Sequence, residues 1–446
     1  MPIPKDIRIK DESADNSIKN LLHIDDVNIY FSKNAIVSEK YKGRSATIIR
    51  GILTDTPKAC PCCGIINENH IIIRHSLRKT RVQLIPYQEV PTYLELYKQR
   101  FFCKACHKTF SAKTDYVEDQ CCLSKPLKFA IAIDLKKKIS MKDIAERYYV
   151  STKSVERVLD MFYQSPKFNP ERLPRHLLFD EFKGTKDGSG EMCFIVSDAD
   201  TGKIVDILDD RRQFRLMNYF MRFSLKTRQR VTHVVMDMNA SYDRIIKAVF
   251  PNAKISIDHF HIIQHITKAF NQQRIRTMND IKKSKAPHSE TNYKKFKKYW
   301  RIPLKKNKKI NFIHFKQYPN FNRKFMTESE VLDYLLALAP SLKRSYQVYQ
   351  ELLDAFDDRN PKEFFHIIDH LSYDIDEKFK HSLRNLKKYR NYIVHSFHYP
   401  YSNGKLEGKN NLIKVIKRIA FGFKTFRNLK RRVMIQQGIY QLAPVR

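Results

Sequence analysis

Three short apolar runs along the chain each stop at an acid. His-Leu-Leu-Phe at 176–179 ends in Asp180, Glu181 and Phe182. Val231-Thr-His-Val-Val-Met ends in Asp237, and Lys254-Ile-Ser-Ile ends in Asp258-His259-Phe260-His261. Runs of this length, rich in β-branched residues and bounded by turn or helix signals, predict buried strands. An acid at the end of a buried strand is costly unless something pairs with it. Acids on neighbouring strands repel one another, and a divalent cation is the usual remedy. After the first run, Glu191–Ser197 and Gly202–Leu208 predict a hairpin turning through Asp198-Ala-Asp-Thr-Gly, which makes Asp198 and Asp200 turn acids. Helices are predicted over 214–225 and from a Ser241 cap onward. Three strands followed by alternating helix and strand is a mixed α/β order.

Before this region the pattern turns helical. Residues 126–163 have room for three short helices, with Ile144, Val155, Val158 and Leu159 inward and Ala145 small enough for a close crossing. This predicts a helix-turn-helix whose second helix, from Thr152, points Thr152, Lys153 and Arg157 outward. After Asn271 strand signals stop and amphipathic helices are predicted to about His395. Within that stretch Lys282–Lys309 holds 12 Lys/Arg against one acid, Glu290, interleaved with Tyr293, Phe296, Tyr299 and Trp300. Such a stretch reads equally as a strand-tracking groove or a solvated loop. Near the C-terminus Ser402 and Asn403 precede a helix on which Glu407, Asn410, Asn411 and Lys414 share one face.

Cysteine usage adds a second kind of site. Cys60-Pro-Cys62-Cys63 and Cys103-Lys-Ala-Cys106 are two Cys-x-x-Cys turns, the spacing with which each turn offers two thiolates to one tetrahedral zinc. Cys62 is an alternative ligand within the first turn. Strands predicted at 81–86 and 97–102 make this a zinc ribbon. Cys121, Cys122 and Cys193 lack such partners. Four protein ligands leave no open position, so this zinc is structural.

Charge narrows the partner. With 83 Lys+Arg against 47 Asp+Glu in 446 residues, the net charge is +36, which calls for a polyanion. No apolar run approaches the length of a membrane span, and no secretory h-region or lipidation motif is seen. The sequence therefore reads as a cytoplasmic protein bound to nucleic acid, with no membrane partner.

Leu-Phe-Asp-Glu-Phe at Asp180, Val-Val-Met-Asp-Met-Asn at Asp237, Asp-His-Phe-His at 258–261 and Ser-Asn-Gly-Lys-Leu-Glu-Gly-Lys-Asn-Asn at 402–411 resemble the DDE transposases of bacterial insertion sequences, of the ISL-three family. The resemblance runs from the cysteine motifs to the last basic helix. It implies a multidomain α+β chain: zinc ribbon, helix-turn-helix and a ribonuclease H-like core interrupted by a helical insertion. The expected divisions are an N-terminal arm at 1–45, which reads equally as an oligomer contact or a mobile terminus, the ribbon at 46–122, the helix-turn-helix at 123–168, the core at 169–270, the insertion at 271–395 and the last catalytic helix with its basic tail at 396–446. The resemblance implies Asp180, Asp237 and Glu407 as the triad binding Mg²⁺ (or Mn²⁺), and favours Cys60, Cys63, Cys103 and Cys106 as ligands of the structural Zn²⁺. Asp258, His259, His261 and Asn411 are secondary active-site candidates.

Double-stranded DNA is the expected substrate, as element terminal inverted repeats and target. Thr152, Lys153, Arg157, Lys414, Lys417 and Arg418 are the expected DNA contacts, and cleavage of both element ends implies a homodimer or larger assembly. Cleavage without joining, by a nuclease, and DNA binding without chemistry, by a regulator, are the alternative readings.

Overall fold

The computed structural model describes residues 11–238, 240–399 and 404–440. It divides into two units: residues up to Pro166 with Ile416–Gly422 and those from Arg431 onward, and Lys167–Val415 with Phe423–Lys430.

In the first unit, helix α1 (Glu12–Leu22) leads into β1 (Ile29–Tyr41), β2 (Arg44–Leu53), β3 (Ile72–Gln83), β4 (Thr92–Cys103) and β5 (Thr109–Ser111). The strands form one sheet in the order β1-β2-β4-β3, with β5 also on β4. β1 and β2 join through Lys42 and Gly43, both with positive φ, the two-residue turn whose twist suits a hairpin. The segment expected as an arm thus contributes a strand here, and its Ile18, Ile29 and Phe31 are buried with Leu94, Leu96 and Phe101 of the same core. Three helices follow: α2 (Lys125–Asp134), α3 (Met141–Arg147) and α4 (Thr152–Phe162). Each starts on a serine cap, Ser124, Ser140 and Ser151, and Asp143 completes a capping box on α3. Val155, Val158 and Leu159 are buried at helical spacing, as expected, and Phe162 is buried with them.

The second unit opens with β6 (His176–Lys183), β7 (Met192–Asp198) and β8 (Ile204–Leu208), an antiparallel meander. Then come α5 (Gln213–Met221), α6 (Leu225–Gln229), β9 (His233–Met236), α7 (Ala240–Val249), β10 (Lys254–Ile257) and the long α8 (His259–Lys283). The sheet order is β10-β9-β6-β7-β8, with β9 parallel to both β6 and β10. Parallel strands are covered on both faces, which is why they appear as continuous apolar runs in the sequence. Leu177, Phe179, Val234, Met236, Ile255 and Ile257 alternate onto one face, packed with α5 and α7 side chains such as Phe220 and Tyr242. The Asp198 turn is as expected: Gly202 N–H bonds the Asp198 carbonyl at 2.8 Å, and the Asp198 carboxylate accepts from Asp200 N–H and Thr201 Oγ. The helix expected to be capped by Ser241 already includes Ala240.

Between β10 and the last helices lie α9 (Ser289–Lys298), a small hairpin β11 (Lys316–Tyr318) and β12 (Lys324–Met326), then α10 (Glu328–Ala337), α11 (Pro340–Asp357), α12 (Pro361–Asp369), α13 (Glu377–Arg384) and α14 (Arg390–His398). The hairpin is the one departure from the all-helical expectation among the described residues, since three-residue strands are too short to show a period. α14 returns to the sheet. The Ser396 hydroxyl donates to Ile257 O at 2.6 Å and accepts from Ile257 N–H at 3.0 Å, and His395 Nδ1 donates to Ile255 O. The chain ends in α15 (Gly404–Ile419) and α16 (Phe426–Gln436).

Candidate active site

Sheet register assembles the acids. His176 stands opposite His233 and Leu178 opposite Val235. The same offset carries Asp180 to Asp237. On the other side His233 pairs Lys254 and Met236 pairs Ile257, so Asp237 is level with Asp258. Three carboxylates therefore fall in a row across three neighbouring parallel strands about 4.8 Å apart. By strand alternation they project from the face opposite the Phe179 core.

Their environments differ. Asp258 is fully buried, and His261 Nδ1 donates to its Oδ2 at 3.0 Å. Asp180 accepts the Asn410 amide of α15 on Oδ2 at 2.6 Å and the Glu181 backbone N–H on Oδ1. Burial raises the Asp180 carboxyl above its ordinary range, with the Asp258 and Glu181 charges adding to the effect; the Glu181 N–H and nearby His261 oppose it. Asp237 is pushed up to about 6, chiefly by burial and then by the Glu181 charge. Its Oδ1 is buried without a hydrogen-bond partner among the described residues, and so is Asn410 Oδ1. His261 is raised, first by its bond to Asp258 and further by the Asp258, Asp237 and Asp180 charges.

This donor set fits a hard divalent cation. It is made of carboxylate oxygens, two orphaned buried oxygens lie within it, and the mutual repulsion of its acids is met only in part by protein groups.

Glu407 lies on α15, but its side chain is outside the described residues. Asn410, one turn further along, is the α15 residue that touches Asp180; Asn411 is exposed. Of the two histidines, His261 faces the acids. His259 Nε2 donates instead to Ser396 O of α14 at 2.5 Å and its ring packs against Phe356. Glu181 was not singled out by the sequence. It is held by the Tyr242 hydroxyl of α7 and by Arg211, and it faces Asp237. Its place directly after Asp180 was the available signal, but alternation assigns it to the opposite face.

The Asp237 carboxyl, whose buried Oδ1 has no partner among the described residues, carries a stability prediction. An acid whose folded pKa is raised costs nothing below its unfolded value, near 3.8. The cost grows as pH climbs through about 6 and is complete above it. In metal-free protein, Asp237→Asn should therefore be more stable than wild type at pH 7.5 by about 1–2 kcal/mol, within the ~3 kcal/mol that two pKa units allow. The difference should vanish at pH 4. Thermal melts of both proteins at the two pH values decide it, and an equal difference at both would refute the assignment.

The cysteine site is built from two matching turns. Gly64 N–H bonds Cys60 O and His107 N–H bonds Cys103 O, both at 2.9 Å, and Gly64 and His107 each take positive φ just past their Cys-x-x-Cys. Cys60 and Cys106 Sγ are 3.7 Å apart, Cys63 and Cys103 Sγ 3.8 Å, and all four sulfurs lie within 4.8 Å of one another. Tetrahedral zinc with Zn–S near 2.3 Å calls for S–S edges of about 3.8 Å. The cluster is the right size for one zinc ion. Cys62 is exposed and stays out of it, donating its N–H to Cys60 Sγ.

On the helix-turn-helix, Thr152, Lys153 and Arg157 are exposed. The turn before α4 is tied to the sheet that carries the cysteine cluster, because Gln83 Nε2 donates to Tyr148 O at 2.7 Å and Tyr149 O at 3.0 Å. A cleft of about 390 Å³ opens there, lined by Lys42, Arg44, Tyr93, Lys142, Tyr149 and Thr152 among others. On α15, Lys414 and Arg418 are exposed and Lys417 is half-buried. The basic run of α16 is partly structural. Arg432 is buried and donates to Leu135, Lys137 and Ile139 carbonyls, and Arg431 pairs with Asp160.

Residues 177–433 match the transposase family of the DDE, ISL-three type. The match covers more than half of the chain and takes in the acid-bearing strands and α15: the chain belongs to that family of transposases. Among curated proteins, one described as an ATP-dependent protease, from Lactococcus lactis subsp. lactis, is 38% identical over 113 residues. Those residues are 25% of this chain, and the chain matches 36% of that relative's length. No helix among the described residues is long and apolar enough to cross a membrane.

Proposed function

We propose that the chain binds the ends of an insertion sequence and carries out metal-dependent cleavage and strand transfer on DNA. The observation that carries this is the level row of Asp180, Asp237 and Asp258, with α15 brought onto Asp180 by Asn410. Asp180, Asp237 and Glu407 would hold Mg²⁺ or Mn²⁺. When bound, the metal supplies charge neutralisation for the scissile phosphate and acidifies a water or 3′-hydroxyl nucleophile. The remaining roles belong to the protein. Asn410 orients the Asp180 carboxylate and holds α15 against β6. His261, whose bond to Asp258 favours its protonated form, would offset the acids and offer a proton near the reacting phosphate. Arg211, half-exposed beside Glu181, is placed to take a phosphate oxygen.

Zinc would hold the first unit's sheet in shape for the helix-turn-helix it supports. Thr152, Lys153 and Arg157 would read or grip the element end, with the basic cleft beside them on the backbone. Lys414, Lys417 and Arg418 would hold phosphates along α15. Action on two element ends calls for at least two copies. The Lactococcus match does not bear on this chemistry, since it covers a quarter of the chain.

The test is a reaction of wild-type protein with DNA carrying the element's ends, a supercoiled target and Mg²⁺. Cleaved ends joined to the target are expected. Nicked ends without joined product would favour the nuclease reading, and binding with neither product the regulator.

A further inference from the structure

The Lys/Arg-rich stretch of the insertion holds its aromatics differently from what sequence suggests. Phe296 is fully buried, and Tyr299 packs on Tyr318 and Phe321. Just beyond them, four large apolar side chains stand in solvent: Phe312 at 61% exposure, Ile313 at 77%, Phe315 at 60% and Phe325 at 67%. They sit on a fixed frame. The Asn311 side chain accepts the N–H of Ile313 and of His314 and donates to His314 O, closing the loop at 311–314. Ile310, Tyr318 and Phe321 are buried anchors on either side. Gln317 pairs Phe325 across β11 and β12, and Asn322 and Arg323 make the positive-φ turn between those strands.

A cluster of exposed apolar side chains on an anchored frame marks a binding surface. Its surroundings identify the occupant. From Thr291 to Thr327 the chain has twelve Lys/Arg and no acid. Glu328, next in line, is buried and taken up by Lys305 and Lys316. Such charge repels the same face of a second copy and matches a polyanion. Intact duplex would meet the lysines with its phosphates and offer nothing to the phenylalanines, because its base faces are stacked away. DNA with opened or unpaired bases satisfies both.

We propose that the loop at 311–315 and the β11–β12 hairpin form a stacking surface for unpaired bases of the DNA substrate, with Phe312, Ile313 and Phe325 against the bases and neighbouring Lys308, Lys309 and Lys324 on the phosphates. This rests on the transposase reading and adds the state of the DNA that the insertion recognises.

The experiment uses full-length wild type and the triple variant Phe312→Ala/Ile313→Ala/Phe325→Ala, all three positions being exposed. Each is titrated with two element-end duplexes, one fully paired and one with two unpaired bases at the element boundary that include 2-aminopurine. Wild type should prefer the unpaired duplex by about tenfold and change the 2-aminopurine fluorescence. The variant should lose both effects while keeping its melting temperature and its affinity for paired duplex. Equal affinity of wild type for the two duplexes would overturn the inference while leaving the transposase reading intact. So would a variant that loses self-association in sedimentation but keeps the base preference, which would assign the surface to a second copy. Failure of wild type to bind either duplex would bring down the transposase reading as well.

Discussion

Asp180→Ala and Asp237→Ala proteins should bind element-end DNA as wild type does and cleave it about 10³-fold more slowly or worse. A metal held by these acids would neutralise charge developing on the phosphate, an effect of several kcal/mol, and each 1.36 kcal/mol is a factor of ten. Both acids sit in the level row, and neither is a surface ligand that a neighbour can replace. Asp258 is bonded to His261 and Asp180 to Asn410. Asn410→Ala should cost less, about 10–100-fold, because it orients an acid without being one of the three proposed ligands. Binding and single-turnover cleavage followed in one reaction make the comparison. If either alanine variant cuts at the wild-type rate, the row of acids is not the catalytic centre.

Removal of zinc should be the second large effect. Cys60 and Cys103 are buried among Ile18, Ile72 and Phe101, so without an ion their thiols would face one another in a closed core. A chelator, or Cys103→Ser, should lower the stability of the first unit by about 4–5 kcal/mol or more, the size of effect that loss of a metal is among the few causes to produce. Specific DNA binding should fall with it, because Gln83 at the end of β3 holds the turn before α4. One zinc per chain should be released on thiol titration. The second unit has its own core and should melt unchanged. A chelated protein with unaltered melting and full DNA affinity would show that the cysteine cluster is not a metal site.

The strongest signals in the sequence were those with a local cause. Parallel strands buried on both faces wrote the runs before Asp180, Asp237 and Asp258 directly into the chain, and Cys-x-x-Cys spacing wrote the two turns. The choice between His259 and His261 was not legible. It depends on α14, whose Ser396 carbonyl claims His259 from far along the sequence. Asn410 and Asn411 share a helical face in outline, and only the docking of α15 on β6 separates the one that reaches Asp180 from the exposed one. Glu181 was hidden by alternation, since a strand's end need not keep its two faces apart. In the insertion, composition located the basic aromatic stretch but burial decided which rings were free. Phe296 and Tyr299 fill the core, and Phe312 and Phe325 do not. Arg431 and Arg432 look in sequence like any other members of the basic tail, and only their carbonyl and Asp160 partners give them a structural role.

The return of α14 to β10 has a consequence for how such a chain can vary. Ser396, His395 and His259 stitch the end of the long excursion to the strand it left, so the excursion opens and closes at nearly one point. Lengthening a closed detour costs little, about 0.6 kcal/mol per doubling for a flexible segment. One residue added within β6 or β9 would instead turn an acid to the wrong face of the sheet. Length should therefore drift among homologues in the exposed turns between the helices from Lys283 to Arg390 and stay fixed within β6, β9 and β10.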